Sequence, residues 1–241
     1  MSKTSPVAIV TGASSGIGLA ITKALLERGY RVVGTSRSAT KSKDLQAGEK
    51  LELVDGDVGN KETAVKVVSA AMAKFGRIDT LINNAGIFIS KPFPEYTEED
   101  FQLLIGTNMA SFFYMTQQVI PHMQKQKTGH VLSISTTLTD QPLAGVPCGL
   151  QVMTKASLPS ASRALSIEYA GENIRFNVIS PGVVDTPMHD PGSREALKKL
   201  SPLGRLADTK EIVEAVFFLE SAGFVSGENL RIDGGAHAGK W

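Results

Sequence analysis

Short apolar runs alternate along the chain with longer stretches of helical periodicity. The runs are rich in Val, Ile and Leu, which is typical of strands covered on both faces. They span residues 7–11, 31–36, 51–57, 78–86, 130–135, 174–180 and 230–235. Helices are predicted between them, over residues 16–28, 60–75, 97–126, 150–170 and 208–220. This repeated order of strand and helix predicts an α/β fold, with helices on both faces of a parallel sheet, in one domain over residues 1–241.

Two of the predicted helices begin at a capping box. Thr97 is followed three residues later by Asp100, and Asp208 by Glu211, so each pair can satisfy free N–H groups of the first helical turn. The two long irregular stretches are residues 136–149 and 181–207. Ligand contacts are expected there, because binding residues concentrate on loops that a rigid scaffold holds.

Composition and charge narrow the class of protein. Of the 241 residues, 42% are hydrophobic and 20% are charged, and the formal net charge is +1. The clustered basic excess of a nucleic-acid-binding protein is therefore missing. No apolar run reaches membrane-spanning length, and the N-terminus lacks the apolar core of a signal peptide. The single cysteine, Cys148, cannot form an intrachain disulfide, so we expect a cytoplasmic protein without nucleic-acid or membrane partners.

Three glycines separate the first predicted strand from the first helix. Residues 11–18 read TGASSGIG, with the spacing G-x-x-x-G-x-G over Gly12, Gly16 and Gly18. Glycines let the backbone turn tightly and approach a pyrophosphate, which then rests on the helix N-terminus. The alternative is a glycine-rich turn without a ligand, but its position between strand and helix favours dinucleotide binding.

Further motifs follow this loop in a fixed order. Asp57-Val58 follows the third strand, the sequence NNAG (83–86) follows the fourth, and the sequence PGVVDT (181–186) follows the sixth, while Asn108 and Lys155 lie in helices. In this order the motifs resemble those of the short-chain dehydrogenase/reductase superfamily, in its compact branch, over nearly the whole chain. The resemblance implies a Rossmann-type fold, a doubly wound sheet of seven parallel strands in a single domain.

The resemblance also implies a cofactor site. Asp57 would bond the adenine amino group, Val58 would lie along the adenine ring, and Asn83 would brace the sheet and line the cofactor cleft. Thr186 would meet the nicotinamide carboxamide. For Asp57 and Thr186 the alternative is ordinary turn chemistry. The implied cofactor-binding residues are Gly12, Ser14, Ser15, Gly16, Ile17, Gly18, Asp57, Val58, Asn83, Ala85, Gly86, Lys155, Pro181, Gly182, Val183 and Thr186.

The end of the second strand favours NADP(H) over NAD(H). An NAD site usually places a carboxylate there to bond the ribose 2′-hydroxyl, whereas this chain has Ser36 followed by Arg37. Without the carboxylate a 2′-phosphate is not repelled, and the Arg37 guanidinium can pair with it in a fork geometry. We therefore add Ser36 and Arg37 to the cofactor-binding residues. The alternative for Arg37 is a solvated loop charge, which we expect for Lys41 and Lys43.

The implied catalytic set contains one departure from the family. A tyrosine four residues before the helix lysine usually passes a proton to the carbonyl oxygen, and a serine at the end of the fifth strand bonds the same oxygen. Gln151 stands at the tyrosine position, one helical turn before Lys155, and an amide does not titrate in the usable range. By resemblance, Lys155 bonds the nicotinamide ribose hydroxyls, and Asn108 holds a water molecule near it. The tyrosines of the chain fall outside this motif: Tyr30, Tyr96, Tyr114 and Tyr169.

The position of the serine has two interpretations. The family spacing counted back from Gln151 leads to Leu138, whereas the end of the fifth strand leads to Ser135 or Thr136. We favour the strand end, because loops absorb insertions; the alternative is that both hydroxyls only cap the strand exit. The candidate catalytic residues are Asn108, Ser135, Thr136, Gln151 and Lys155, and no metal site is expected.

Several groups could supply the proton in place of the tyrosine. Cys148 lies seven residues before Lys155, the distance of the tyrosine in a related branch of the superfamily, although a lone cysteine is more often a packing residue. Lys155 could deliver a proton through water at Asn108, and a substrate could use its own hydroxyl. His189 follows Thr186 in the region that covers substrate in the family, and its alternative is a solvated loop histidine.

Two functions fit these features. The first is an NADP(H)-dependent oxidoreductase acting on a small or medium-sized carbonyl or alcohol, with an apolar pocket at Leu138, Leu143, Val146 and Leu150. The alternative is an NADP(H)-binding sensor or scaffold without turnover, which Gln151 favours. We prefer the enzyme, because the fold and the cofactor motifs are intact and an acid can be replaced.

The resemblance further implies a homo-oligomer, a tetramer first and a dimer second. Helices 101–126 and 150–170 pair across a two-fold axis in relatives, and the candidate contact residues are Phe112, Phe113, Met115, Leu158 and Leu165. The C-terminal tail, residues 236–241, carries His237 and the only tryptophan, Trp241. We expect it to dock between subunits and to help close an active site; a frayed terminus is the alternative.

Overall fold

The chain forms a seven-stranded parallel sheet in the order β3-β2-β1-β4-β5-β6-β7, in a computed structural model that describes residues 5–240. The strands are β1 (Val7–Thr11), β2 (Arg31–Ser36), β3 (Leu51–Asp55), β4 (Thr80–Asn83), β5 (Gly129–Ile134), β6 (Ile174–Pro181) and β7 (Asn229–Ile232). The helices are α1 (Gly16–Glu27), α2 (Lys61–Phe75), α3 (Glu98–Leu104), α4 (Ser111–Gln126), α5 (Gly149–Lys155), α6 (Ser157–Glu168), α7 (Arg194–Lys198) and α8 (Thr209–Ser221). The predicted Rossmann-type α/β fold with seven parallel strands in a single domain is confirmed.

Alternate residues of the strands fill two separate cores. In β1, Ala8 and Val10 pack with α1 and α8, whereas Val7 and Ile9 pack with α2 and α4. Successive side chains of a strand point to opposite faces of its sheet. Both faces are therefore covered, which explains why the strand runs are almost continuously apolar.

The strand order reverses at β1, which lies between β2 and β4. In open α/β sheets the crevice outside the carboxyl ends of the strands at such a reversal receives the ligand. The residues that follow β1, β4, β5 and β6 meet at this edge, so the topology brings together the predicted motifs that follow these four strands.

Both predicted capping boxes form. Thr97 Oγ1 accepts from the Asp100 N–H at 3.2 Å, and Asp100 Oδ2 accepts from the Thr97 N–H at 3.0 Å. In α8, the Asp208 carboxylate accepts from the Lys210 N–H at 2.8 Å, and the Glu211 carboxylate accepts from the Asp208 N–H at 2.8 Å. These bonds satisfy free N–H groups and fix where α3 and α8 begin.

The two long predicted helices are interrupted. Residues 97–126 contain a π-helical segment, Ile105–Ala110, between α3 and α4, and the Ser111 N–H donates to the Gly106 carbonyl oxygen five residues back. Residues 150–170 divide at Ala156 into α5 and α6. The stretch 181–207, predicted as irregular, contains the short helix α7.

The predicted runs include both the strands and the segments that leave them. β3 ends at Asp55 and β4 at Asn83, and the remaining residues of the predicted runs, up to 57 and 86, are the exits, which leave the sheet and form turns. Within residues 5–240, no helix combines the length and apolar composition that crossing a bilayer requires. In the same range, no three His, Cys, Asp or Glu side chains gather as metal ligands do.

The residues predicted to line a contact between subunits do not share one environment. Met115 and Leu158 are fully buried and Phe112 is nearly so. These three belong to the interior of the chain, and their assignment to a subunit contact is wrong, because a side chain packed in the core has no surface left for a partner. Phe113 of α4 is 54% exposed, and Leu165 of α6 is partly buried.

A buried polar network connects the amino ends of the strands to α8. His130 of β5 bonds the Glu220 carboxylate, which also accepts from Thr80 Oγ1 at 3.0 Å. Asn177 of β6 bonds the other ring nitrogen of His130 at 3.1 Å. The Arg175 guanidinium donates to the carbonyl oxygens of residues 219 and 225, both at 2.9 Å. Burial lowers the pKa of His130. This network lies at the opposite end of the sheet from the ligand crevice.

Candidate active site

A cleft of about 530 Å³ opens at the carboxyl ends of β1, β4, β5 and β6. Among the predicted site residues, it brings together Gly12, Ser15, Gly16, Ile17, Ala85, Gly86, Ser135, Thr136, Gln151, Lys155, Pro181, Gly182, Val183 and Thr186. Others lie outside its lining, namely Ser14, Gly18, Ser36, Arg37, Asp57, Val58, Asn83 and Asn108.

The glycine loop exposes the N-terminus of α1 to the cleft. Gly12 and Gly16 have φ values of +67° and +51°, which favour glycine. Gly18 supports the loop from behind, since a Cβ there would overlap the carbonyl oxygen of Gly12. Ser15 precedes the helix without a side-chain cap, and the first turn contains no acidic residue. The first N–H groups of α1 are therefore available to an anion.

Asn84, rather than Asn83, connects the exit of β4 to the glycine loop. Asn84 Nδ2 donates to the Thr11 carbonyl oxygen at 2.8 Å, and Thr11 Oγ1 accepts from the N–H groups of Asn84 and Ala85, both at 3.0 Å. Asn83 is buried and donates to Thr116 Oγ1 at 3.2 Å. The prediction that Asn83 lines the cleft is wrong, because side chains alternate at the strand end. Asn84 lines the cleft instead.

The ends of β2 and β3 form the rim beyond the glycine loop. Ser36 pairs with Asp55 across the two strands, and Arg37 is exposed. The Asp55 carboxylate accepts from the N–H of Thr40 at 2.8 Å and from its hydroxyl at 2.5 Å. The hydroxyl bond is the main reason that the pKa of Asp55 is lowered. The loop after Arg37 is thus anchored by a carboxylate that the sequence motifs did not indicate.

Asp57 and Val58 follow β3 in a turn. Asp57 is exposed, and its Oδ1 accepts from the Gly59 N–H at 2.9 Å, which is the turn chemistry given above as the alternative. The side chain of Val58 is buried. Asp57 keeps its second carboxylate oxygen without a hydrogen bond from the described residues.

Lys155 is buried on α5 and lines the cleft. Its Nζ donates to the Ile134 carbonyl oxygen at 2.7 Å. Burial lowers the Lys155 pKa from 10.5 to about 8, because desolvation penalises the charged form. Gly86 leaves room for the ammonium, since a Cβ there would lie 2.8 Å from Nζ. Gln151 lies one turn earlier and also lines the cleft, as the spacing predicts.

Asn108 lies within hydrogen-bond distance of the Gln151 amide. The Ile87 N–H donates to Asn108 Oδ1 at 3.0 Å. The two Asn108 Nδ2 hydrogens face three acceptors, which are the Ile87 carbonyl oxygen and Thr154 Oγ1, both at 3.2 Å, and Gln151 Oε1 at 3.4 Å. Gln151 is only 3% exposed. Its Nε2 has no hydrogen-bond partner among residues 5–240, yet this atom is not sealed in the interior. The amide therefore offers N–H donors to the cleft.

The two hydroxyls after β5 differ in what they can donate. Ser135 Oγ donates to the Lys155 carbonyl oxygen at 3.1 Å, so its proton is used within the chain. Thr136 Oγ1 accepts from the Leu138 N–H at 3.3 Å, and its own O–H is left for the cleft. Leu138 lines the cleft as well, but it has no polar side-chain group.

Lys155 and His189 are the titratable side chains in the lining of the cleft, as far as the described residues show. Burial lowers the His189 pKa, against a smaller opposing effect of Asp185, so the imidazole is largely neutral at pH 7. Cys148 is buried, lies outside the lining, and has a pKa that burial raises. The tyrosines, which are all within the described residues, also lie outside the lining: Tyr30, Tyr96, Tyr114 and Tyr169.

Apolar side chains form most of the remaining wall: Ile87, Phe88, Leu138, Leu143, Val146, Met188, Leu197 and Leu200. Leu150, predicted to belong to this wall, is buried in α5 and does not line the cleft. Ala236, at the start of the tail, does line it. His237 Nδ1 bonds the Asp233 carboxylate at 2.9 Å, and Trp241 lies outside the described residues.

The fold and the cleft define a Rossmann-type α/β protein with its ligand site at the reversal of strand order. The family model described as enoyl-(acyl carrier protein) reductase matches residues 12–237. The 3-oxoacyl-(acyl-carrier-protein) reductase FabG of Vibrio cholerae serotype O1 is 32% identical over 238 residues, which cover 96% of this chain and 97% of the relative. The acetoacetyl-CoA reductase of an Acinetobacter species is 34% identical over 243 residues, with coverage of 96% and 97%. The chain belongs to the short-chain dehydrogenase/reductase superfamily and is an oxidoreductase of that family.

Solved structures agree with this placement. The structure of ElxO with NADP bound has a TM-score of 0.89 and 27% sequence identity, and the match covers 98% of this chain and 100% of that chain. The 3-ketoacyl-(acyl-carrier-protein) reductase from Brucella melitensis, complexed with NADH, has a TM-score of 0.90 and 29% identity, with coverage of 96% and 98%.

Proposed function

We propose that the protein is an NADP(H)-dependent oxidoreductase acting on a small or medium-sized carbonyl compound, or on the corresponding alcohol, with Gln151 at the position of the usual acid. The observation that carries this proposal is one continuous cleft that joins the glycine loop to Lys155, Gln151 and an apolar wall. When bound, the cofactor supplies or accepts the hydride. The relatives named for 3-oxoacyl and acetoacetyl compounds support a carbonyl substrate.

The residues present fit a bound dinucleotide. The uncapped N-terminus of α1 suits the pyrophosphate, and Gly12 keeps a Cβ out of the space in front of Asn84. Lys155 would hold the ribose hydroxyls and Thr186 the carboxamide, while Asp57 and Val58 would hold the adenine. Solved relatives that carry NADP or NADH support this assignment.

The preference for NADP(H) rests on Ser36 and Arg37. Asp55 is the β3 partner of Ser36, and Thr40 already bonds both of its carboxylate oxygens. The Asp55 carboxylate is therefore already hydrogen-bonded to Thr40 and is not free to accept a hydrogen bond from a ribose 2′-hydroxyl. Arg37 is exposed on the same rim and can reach a 2′-phosphate.

With Gln151 in place of the usual tyrosine, the proton for the substrate oxygen must come from another group. Gln151 Nε2 and the Thr136 hydroxyl can orient a substrate oxygen, but neither gives up a proton near pH 7. For a simple carbonyl, the proton then has to come from the Lys155 ammonium, or through His189 from solvent. In neither route does an acid bonded directly to the substrate oxygen donate the proton, as the tyrosine would. We therefore expect slow reduction.

The test is NADPH oxidation against a panel of aldehydes and ketones, with the Gln151→Tyr variant in parallel. We expect slow turnover by the unmodified protein and faster carbonyl reduction by the variant, by about 10²–10⁴-fold, the usual contribution of general acid catalysis. Gln46→Tyr, at an exposed position outside the cleft and the predicted subunit contact, is the control and should match the unmodified protein. Failure to bind NADPH would overturn the proposal.

A cofactor-binding sensor or scaffold is the second candidate, and Gln151 is the observation that favours it. This function predicts NADPH binding without oxidation of the cofactor by any carbonyl compound, saturated or conjugated. Restored turnover in Gln151→Tyr alone would support it, because the hydride site would then be competent while the native chain lacks the acid.

A further inference from the structure

A histidine lines the cleft beside its apolar wall, in a chain whose cleft lacks the usual tyrosine. We propose that His189 exchanges the proton between solvent and the substrate oxygen, through one water molecule, in place of the tyrosine that Gln151 replaces. This inference rests on the proposed function and specifies how its proton is delivered. The same imidazole takes the proton of an alcohol when the reaction runs toward the carbonyl compound.

A tight turn holds His189 close to the cofactor side of the cleft. The His189 N–H donates to the Thr186 carbonyl oxygen at 3.1 Å, which closes a turn over residues 186–189. Thr186 faces the glycine loop, because a Cβ at Gly16 would lie 3.4 Å from its side chain. The histidine is therefore three residues from the side chain expected to meet the nicotinamide.

Both ring nitrogens of His189 are available for proton exchange. Neither nitrogen has a hydrogen-bond partner among residues 5–240, and neither is sealed in the interior. The residue lines the cleft yet is only partly buried, so protons can pass between its imidazole and solvent. An imidazole that regains its proton from solvent can act in every turnover.

Lys155, the other titratable group of the described lining, suits this exchange less well. Its Nζ donates to the Ile134 carbonyl oxygen at 2.7 Å, and the residue is only 5% exposed. A proton lost from this buried amine would have to return through the cleft while substrate and cofactor fill it. By resemblance the lysine also holds the ribose hydroxyls. Lys155 therefore suits binding, and His189 suits proton exchange.

The proposed step balances in atoms and electrons. In the reducing direction a hydride adds to the carbonyl carbon, and the C=O π pair moves to oxygen. That oxygen takes a proton from the bridging water molecule, which takes one from the His189 imidazolium. The imidazole then regains a proton from solvent. The substrate gains two electrons and NADPH is oxidised to NADP⁺, while alcohol oxidation follows the same steps in reverse.

The charged groups around His189 set the pH at which it works. Burial lowers its pKa, and the Asp185 carboxylate raises it by a smaller amount. Asp185 pairs with Arg194 of α7 at 2.6 Å, which weakens its effect on the imidazole. Asp190 instead caps the turn that follows it, and Lys155 is a cation of the described lining. The midpoint of proton exchange should therefore lie below the ordinary histidine value of 6.5.

The first test measures kcat/KM against pH, for reduction of the fastest compound of the carbonyl panel and for oxidation of its alcohol. This quantity reports groups of the free protein, so both profiles should share one midpoint below pH 6.5. Reduction should fall about tenfold per pH unit above the midpoint, and oxidation about tenfold per pH unit below it. The His189 titration, followed by NMR of the ligand-free protein, should give the same midpoint.

Variants separate proton exchange from a purely structural role. His189→Gln keeps a polar side chain that does not titrate, so at pH 6 it should lower kcat/KM by about 100-fold. Asp185→Asn should move the midpoint to lower pH, and Arg194→Met should move it to higher pH, because the Asp185 charge is then unpaired. Lys199→Gln, at an exposed position just after α7 and outside the cleft lining, is the control.

A tyrosine at residue 151 should make the histidine less important. In the Gln151→Tyr background, His189→Gln should lower kcat/KM by less than about tenfold, since the tyrosine then gives the proton directly. An equal loss in both backgrounds would overturn the inference, because His189 would then shape the cleft rather than exchange the proton.

The outcomes separate this inference from the function beneath it. A midpoint near pH 8 that persists in His189→Gln would assign the proton to Lys155, whose pKa is about 8. That result, or a kinetic midpoint that differs from the NMR titration of His189, would overturn the inference and leave the oxidoreductase proposal standing. NADPH binding without turnover of any panel compound would overturn both and favour the sensor. Matching midpoints that move as stated in Asp185→Asn and Arg194→Met would support both.

Discussion

The charge of Lys155 is disfavoured by its burial. Its ammonium is buried and bonds the Ile134 carbonyl oxygen, and burial lowers its pKa from 10.5 to about 8. Below pH 8 the folded protein holds the buried charge and bears its full desolvation cost. Between pH 8 and 10.5 the folded state binds fewer protons than the unfolded state, so folding becomes more favourable as pH rises through this window.

We therefore predict that the cofactor-free protein gains stability relative to Lys155→Met as pH rises from about 8 to about 10. The measurement is urea unfolding of both proteins at several pH values, since their difference isolates the lysine. Lys198→Met, at an exposed ion pair of α7, is the control and should show little pH dependence in this window. A constant difference between the unmodified protein and Lys155→Met would show that the lysine is not desolvated as described.

If the cofactor proposal is correct, Arg37 gives the protein its higher affinity for NADPH than for NADH. Replacing Arg37 by Ala removes a charge-assisted pair with a 2′-phosphate, so we predict about tenfold weaker binding of NADPH and unchanged binding of NADH. Fluorescence titration of both cofactors measures this. Lys41→Ala, a nearby loop cation expected to remain solvated, should change either affinity much less. Equal weakening of NADPH and NADH would point to a general disturbance of the rim.

Individual residues of the site were predictable where they depend on local spacing. The shared face of Gln151 and Lys155 follows from their separation of four residues. The bond between Asn108 and Gln151 joins residues 43 apart, and it depends on how the segment before α4 packs on α5, which no local pattern encodes. The same reason explains Asn83: the motif marks both asparagines, but only the exact strand end decides which one turns to the cleft.

At the scale of the element, α8 shows how a helix boundary is held. Asp208 caps its first turn, and Glu211 completes the capping box while also accepting from Arg205 through both oxygens at 2.7 Å. Those bonds lower the Glu211 pKa to about 2, chiefly through Arg205. Asp208→Ala should lower the free energy of unfolding by about 1 kcal/mol, measured by urea unfolding at pH 7.

The matched variant for this prediction is Asp208→Asn. Its side-chain oxygen can still accept from the Lys210 N–H, so it should retain most of the stability. If both variants were equally unstable, the effect would come from the negative charge near the helix N-terminus rather than from the cap.

Elements with strong local signals were predicted closely. The bounds of β1 and β2 agree to the residue, because turns with glycine or polar residues follow both, and the capping boxes mark the starts of α3 and α8. The breaks at residues 105–110 and at Ala156 were missed, since a change in helical hydrogen bonding alters no polarity pattern. Helix α7 was missed because it is only five residues long and polar.

At the scale of the whole molecule, the network around Glu220 holds one end of the sheet. It connects β4, β5 and α8 through Thr80 and His130. Glu220→Ala would leave buried partners of this carboxylate unsatisfied, so we predict a loss of about 3 kcal/mol in the free energy of unfolding. Cofactor affinity should stay unchanged, because the cleft lies at the other end of the strands.

Thermal and urea unfolding of Glu220→Ala, with NADPH titration of the folded protein, measure both parts of this prediction. Glu214→Ala, on the exposed side of the same helix, is the control and should be near neutral. Loss of cofactor affinity at temperatures where Glu220→Ala is fully folded would mean that the two ends of the sheet are coupled.

Exposed apolar residues on α4 and α6 are candidates for a contact between copies of the chain. Phe113 is 54% exposed and Ile167 is 81% exposed, and a contact between copies through these helices would bury both. If the predicted homo-oligomer forms this way, the double variant Phe113→Ser, Ile167→Ser should shift the mass in light scattering toward the monomer. Val65→Ser on α2 is the control and should not. A monomeric unmodified protein would contradict the predicted assembly directly.

The π-helical segment Ile105–Ala110 has a consequence for what the chain tolerates. It holds one residue more than an α-helical path would need, and each residue of an α-helix turns the following ones by about 100°. Deleting Thr107 would let α3 and α4 merge into one regular helix, which α-helical hydrogen bonding favours over a π-helical segment. Asn108 would then lose its position relative to Gln151, or the buried side of α4 would rotate away from the core. The extra residue sets the rotation of Asn108 relative to the buried side of α4. The chain can therefore accept a substitution in this segment more readily than a change in its length.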